Sequence, residues 1–94
     1  MTQSFAACIE GSAGLVGFIG SDGDPEPGLT PDHGFERTTD AQKAASNYLA
    51  RMQDPSLRAT LVRHDGAGWQ RVGVVEGRYE RLRRKGSVTW TGHL

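Results

Sequence analysis

The sequence predicts an α+β fold: an antiparallel sheet of four to five strands with one amphipathic helix packed on one face. Three patterns indicate this fold. Residues 40–53 repeat apolar side chains at helical spacing. Residues 58–64 and 69–76 alternate β-branched and polar side chains around a short glycine-containing turn. Two further short apolar segments stand near the N-terminus, and 94 residues leave room for a single domain over 1–94.

The predicted helix has a start, a buried stripe and an end. Thr39 and Gln42 have the spacing of a capping box, in which the hydroxyl and the amide satisfy amide groups of the first turn. Asp54 and Pro55 end the helix, because proline lacks an amide hydrogen and restricts the residue before it. The apolar stripe comprises Ala41, Ala44, Ala45, Tyr48, Leu49 and Met52.

Glycine recurs at every third position from Gly11 to Gly23, through and beyond the two predicted N-terminal strands at residues 4–9 and 15–19. Side chains in a strand alternate with a period of two, so glycine at this spacing thins both faces in turn. The pattern predicts a twisted or bulged hairpin that another segment approaches closely.

The C-terminal sequence is consistent with two alternative secondary structures. Residues 78–85 form either a further strand of a meander or two turns of helix, and the helical version would give a ferredoxin-like βαββαβ fold. Residues 87–91 form the last strand, with Val88 and Trp90 on the two faces or Trp90 at an edge.

Residues 20–36 contain three prolines, four glycines and five acidic residues without a basic one. This composition predicts an irregular acidic loop, and so long a connection in a small domain is either mobile or functional. We therefore expect proteolysis after Glu26 or Glu36 before any cut in residues 40–75.

Charge is balanced overall but separated along the chain. Residues 1–57 carry eight acidic and three basic side chains, a net charge of −5, and residues 58–94 carry three and eight, a net charge of +5. The neutral total argues against a general nucleic-acid binder but permits a local basic site.

Localisation and core size follow from composition. Glu10 interrupts the N-terminal apolar stretch and no basic residue precedes it, so neither a signal peptide nor a membrane span is expected. The single cysteine, Cys8, suits a buried inert thiol in a reducing cytoplasm. Because 13 glycines leave a small core, a homodimer is the simplest way to complete it.

No metal, cofactor or catalytic residue is predicted. Asp22, Asp24 and Glu26 alternate like the opening of a calcium loop, but Pro27 stands where that loop needs glycine and His33 where it needs glutamate. The three histidines are scattered, which disfavours zinc. His64 and Asp65 could form a base with its orienting carboxylate, but no motif ties a nucleophile to them.

The strongest candidate site is the basic run at residues 78–85, where five cations and one acid give a net charge of +4. Arginine binds carboxylates and phosphates, and the nearby aromatic residues could stack on bases. A solvated, charge-protected edge strand is the simplest alternative. We assign partner binding to this run and to the acidic loop: Arg78, Tyr79, Arg81, Arg83, Arg84, Lys85, Asp22, Asp24 and Glu26.

The stretch over residues 38–75, with the segments TTDAQKAASNYLARM, RATLVRHD and WQRVGVVEG, resembles small phage-encoded inhibitors, the anti-CRISPR proteins in particular. The resemblance is one of pattern, a helix laid on a hairpin in a short chain. It implies a protein that binds a large protein or ribonucleoprotein effector complex stoichiometrically and blocks its nucleic-acid path or its nuclease recruitment. The alternatives are a small nucleic-acid-binding module that uses residues 78–85 and, less favoured, a small enzyme or ligand binder.

Overall fold

The computed structural model describes residues 3–82 and 85–93, with only the backbone described at residues 82 and 85. Its elements in chain order are β1 (Ser4–Gly11), β2 (Gly14–Ile19), β3 (Pro25–Glu26), a one-turn 3-10 helix (Pro31–His33), α1 (Thr38–Met52), β4 (Arg58–His64), β5 (Trp69–Leu82) and β6 (Lys85–Thr91). The strands form one antiparallel sheet in the order β3-β2-β1-β4-β5-β6.

The α+β class is confirmed, but the sheet has six strands instead of four or five. The additional strand is β3, which forms within the segment expected to be an irregular loop. The ferredoxin-like alternative is not confirmed, because Arg78 to Leu82 continue strand β5 and contain no helix. The predicted strands at 4–9, 15–19 and 58–64 agree with β1, β2 and β4.

Helix α1 begins one residue before the predicted capping box. Arg37 is the N-cap, with an extended backbone at φ −130° and ψ 145°, and no side chain caps the first turn. The capping-box prediction is therefore wrong, since Thr39 already has helical geometry. The predicted end is confirmed: Gln53 adopts a left-handed conformation, and its amide donates to the Leu49 carbonyl at 3.0 Å.

One face of α1 packs on β1, β4, β5 and β6. The predicted stripe is buried up to Leu49, with Ala44 half-buried, but Met52 is 48% exposed. The buried stripe thus ends at Leu49, one turn before Met52, the last residue of the helix. The central core cluster joins helix residues to the facing side of the sheet: Ala7, Ile9, Ile19, Ala45, Tyr48, Leu49, Leu57, Ala59 and Tyr79.

The N-terminal hairpin is bulged, as the glycine spacing predicts. The register of β1 and β2 shifts between Ile9 and Glu10. At Gly17, a Cβ atom would lie 2.8 Å from the amide nitrogen of Glu26, so the absent side chain admits β3.

The segment at residues 20–36 covers part of the sheet face opposite α1, which we call the helix-free face. Leu29 is 6% exposed and packs with Ala6, Cys8 and Val62. The indole of Trp69 donates to the Leu29 carbonyl at 2.9 Å. The expectation that this segment lacks regular structure is wrong, because Pro25 lies in the two-residue edge strand β3 and Pro31 begins the 3-10 helix, positions that tolerate proline.

The packing of Leu29 changes the expectation for proteolysis. We expect a glutamate-specific protease to cut the Leu29→Ala variant after Glu36 much faster than the wild type, because removal of the buried side chain frees the segment, whereas Pro27 protects the bond after Glu26. Mass spectrometry of timed digests measures the cut, and Thr30→Ala, at an exposed position, is the control. Equal cleavage of the wild type and Leu29→Ala would show that Leu29 does not hold this segment.

Candidate functional site

The sheet order places the two charged regions of the sequence at opposite edges. β3 and the acidic loop form one edge, and the strand pair β5 and β6 forms the other. We call the strand pair from Arg78 to Thr91, without the undescribed residues 83 and 84, the basic edge. The charge separation along the chain is therefore also a separation across the molecule.

The basic edge extends past its neighbouring strand. β4 pairs with β5 as far as Arg58, which lies opposite Arg78. Beyond that point β5 pairs only with β6, from Tyr79 opposite Val88 to Leu82 opposite Lys85. The end of this strand pair thus has no third strand beside it within the part of the chain that the structure describes.

The basic residues of this edge differ in their contacts and in their exposure to solvent. The Arg78 guanidinium donates from Nε to Glu76 Oε1 at 2.6 Å. Arg81 is exposed, and Lys85 begins β6. Arg83 and Arg84 lie outside the described residues. Two arginines of the predicted run are thereby placed at this edge, on opposite faces of β5.

Tyr79, predicted to contact a partner, is instead a core residue. It is 5% exposed and belongs to the cluster beneath α1. Its ring packs against Gly86 of β6, where a Cβ atom would overlap the Tyr79 hydroxyl. Tyr79 is therefore unavailable for stacking on a ligand.

The two tryptophans near the basic run are also used for packing. The Trp90 indole nitrogen donates to Ser46 Oγ at 2.7 Å, and its ring covers Gly77. The Trp69 ring stacks on Phe18, with centroids 6.0 Å apart. Val88 and Trp90 both pack toward α1, so their predicted placement on opposite faces is wrong, although Trp90 does lie on an edge strand.

The acidic residues assigned to partner binding lie far from this edge in the sheet order. Asp24 accepts a hydrogen bond from Arg51 at 2.7 Å, which ties the acidic loop to α1. Glu26 lies in β3 opposite Phe18, and Asp22 is exposed in the turn before it. The structure therefore does not bring the acidic and basic residues into one site.

Sequence reasoning missed a row of ion pairs on the helix-free face. Arg58 and Arg78 lie directly opposite each other, and each is paired with a glutamate, Glu10 at 2.8 Å and Glu76 at 2.6 Å. The hydrogen bond with Glu10 raises the pKa of Arg58. Glu76 and Arg78 have the two-residue spacing of one strand face in the sequence, but the pairing of Glu10 with Arg58 across two strands follows only from the register.

Cys8 lies beside this row and is buried, as predicted. Burial, with a further contribution from the Glu10 carboxylate, raises the pKa of the Cys8 thiol. The thiol is therefore protonated at neutral pH and is a poor nucleophile.

His64 and Asp65 do not act on each other as a base and its orienting group. Asp65 Oδ1 accepts from the amides of Ala67 and Gly68, both at 2.9 Å, and these bonds lower the pKa of Asp65. His64 Nδ1 accepts from the Gly66 amide at 3.1 Å. Both side chains shape the turn between β4 and β5, where Gly66 has φ of 94°.

Within the described ranges, no helix is both long enough and apolar enough to cross a membrane. No family model, curated protein or solved structure matches this chain. The candidate site therefore rests on the geometry and charge of the basic edge.

Proposed function

We propose that this chain is a non-enzymatic, protein-binding inhibitor that acts in the cytoplasm and docks on a large protein or ribonucleoprotein complex through its basic edge. One observation carries the proposal: a positively charged strand pair extends past β4 while the aromatic residues around it face inward. The pattern resemblance to anti-CRISPR proteins supplies the class of partner, an effector complex that such a protein blocks by stoichiometric binding.

The packing of the aromatic residues favours a protein partner over a nucleic acid. A binder of single strands combines cations with exposed aromatic rings on which bases stack. Here Tyr79 is buried, and the indole nitrogens of Trp69 and Trp90 already donate within the fold. The arginines of the basic edge, Arg78 and Arg81, suit carboxylates on an acidic protein surface. A small nucleic-acid-binding module that uses residues 78–85 is the second candidate, supported by the net charge of that run.

Charge reversal at the edge tests this function. Arg81→Glu and Lys43→Glu each replace a positive charge with a negative one at an exposed position. Arg81 lies on the basic edge, and Lys43 lies on the outer side of α1. With a panel of purified effector complexes, we expect the wild type to inhibit target binding or cleavage by at least one complex at about equimolar concentration. Arg81→Glu should slow association about tenfold or more and flatten its salt dependence, because it reverses a steering charge. Lys43→Glu should behave as the wild type.

Surface plasmon resonance at several salt concentrations measures these rates, and circular dichroism checks that both variants fold. Equal inhibition by Arg81→Glu and the wild type would remove the basic edge from the mechanism. Absence of inhibition across the panel would contradict the inhibitor assignment.

A further inference from the structure

The two edges of the sheet are unequally protected against pairing with another strand. Edge strands are normally blunted by shortness, proline or charge. β3 has two residues and begins with Pro25, which has no amide hydrogen. β6 has seven residues, and the six from Gly86 to Thr91 contain neither a charge nor a proline. β6 is thus an open edge.

The hydrogen-bonding groups of β6 match an added strand. β6 pairs with β5 from Lys85 to Thr91 and is the last strand in the sheet order. In an antiparallel pair, every second residue directs its amide and carbonyl groups away from the partner strand. Along the described part of β6 these outward groups form a row that a further strand could use.

The side chains beside this edge indicate the chemistry of the added strand. Arg78 lies opposite Thr89, whose small side chain leaves the space above β6 open on the helix-free face. Among the hydrogen bonds of the described residues, Arg78 uses only Nε, so its terminal nitrogens remain available as donors to a carboxylate. Arg81 adds positive charge near the end of the strand pair.

We propose that β6 accepts an extended, acidic segment of the partner as a seventh strand, with a carboxylate beside Thr89 that Arg78 binds. This inference rests on the proposed function, since it names the part of the partner that the basic edge holds. A second copy of this chain fits less well, because it would bring another basic edge to the interface and the two would repel.

A synthetic peptide tests the pairing without knowledge of the natural partner. The probe alternates valine and threonine and carries one central glutamate and one glutamate at each end. Its first control is the same peptide N-methylated at alternate residues, which removes amide donors on one edge and leaves the charge unchanged. Two such control peptides are made, each N-methylated along a different edge. The second control replaces the central glutamate with glutamine.

We expect the parent peptide to bind in isothermal titration calorimetry and to protect amides of residues 86–91 from hydrogen exchange. N-methylation of the pairing edge should weaken binding about tenfold or more, because several backbone hydrogen bonds are lost. The glutamine peptide should bind more weakly than the parent, and Arg78→Gln should abolish that difference.

Equal binding of the parent and of both N-methylated peptides, protection of another strand, or absence of binding would overturn the pairing. Concentration-dependent protection of β6 without peptide would assign the edge to self-pairing instead. If the peptide does not pair with β6 but Arg81→Glu no longer inhibits the effector complex, the proposed function is retained and the strand pairing is rejected. If the peptide pairs with β6 while Arg81→Glu inhibits normally, the proposed function fails and the open edge stands.

Discussion

Replacement of Leu49 with alanine should lower the free energy of unfolding by about 2–4 kcal/mol, the usual cost of lost transfer energy and a residual cavity. Leu49 is 0% exposed and lies in the cluster that joins α1 to the sheet. Urea denaturation followed by circular dichroism measures the change.

The control for Leu49 is Lys43→Ala in the same helix. Lys43 is exposed, and its replacement should change the free energy of unfolding by less than about 0.5 kcal/mol. Similar shifts of the denaturation midpoint in both variants would mean that the buried stripe of α1 is misassigned and would undermine the packing of α1 on the sheet.

Replacement of Trp90 with alanine should cost about 3 kcal/mol, near the lower end of the range for large aromatic residues because Trp90 is only half-buried. The residue joins three elements: its ring covers Gly77 of β5, and its indole nitrogen donates to Ser46 of α1. Its loss should therefore also loosen β6. Chemical denaturation measures the stability, and hydrogen exchange measures the opening of β6.

The control Ser46→Ala removes the acceptor of the indole hydrogen bond, together with the bond that the Ser46 hydroxyl donates to the Gln42 carbonyl, and should cost about 1 kcal/mol. A larger cost for Trp90→Ala than for Ser46→Ala measures the contribution of the ring beyond these hydrogen bonds. If Trp90→Ala costs no more than Ser46→Ala, the ring contributes little and β6 is held by its backbone pairing with β5 alone.

Local patterns in the sequence were sufficient to predict most elements. The helix, β1, β2 and β4 follow from the period of apolar side chains and from the proline and glycine that interrupt it. Tyr79 could also have been identified as core, because it alternates with Arg78 and Glu80 and follows Val75 and Gly77 at the spacing of one strand face. The concentration of charge around it hid that signal.

Features that depend on distant parts of the chain could not be predicted. Leu29 is an isolated apolar residue in an acidic segment, and its burial depends on the sheet face that a single helix leaves uncovered. The ion pair of Arg58 with Glu10 depends on the register of β1 and β4, and the position of Arg78 opposite Arg58 depends on the register of β4 and β5. The placement of the basic run at an open edge depends on the sheet order, which residue periodicity does not determine.

Direct titration of the wild-type protein with short single-stranded and double-stranded DNA and RNA, over a series of salt concentrations, tests most directly whether the basic edge serves a protein partner. Fluorescence anisotropy of labelled oligonucleotides is the readout. The proposed function predicts no measurable binding at about 150 mM salt, a concentration at which charge interactions beyond about 8 Å are screened. Measurable affinity there, with a slope of log affinity against log salt of about −3 to −4, would indicate three to four phosphate contacts and contradict the protein-binding assignment in favour of a nucleic-acid-binding module.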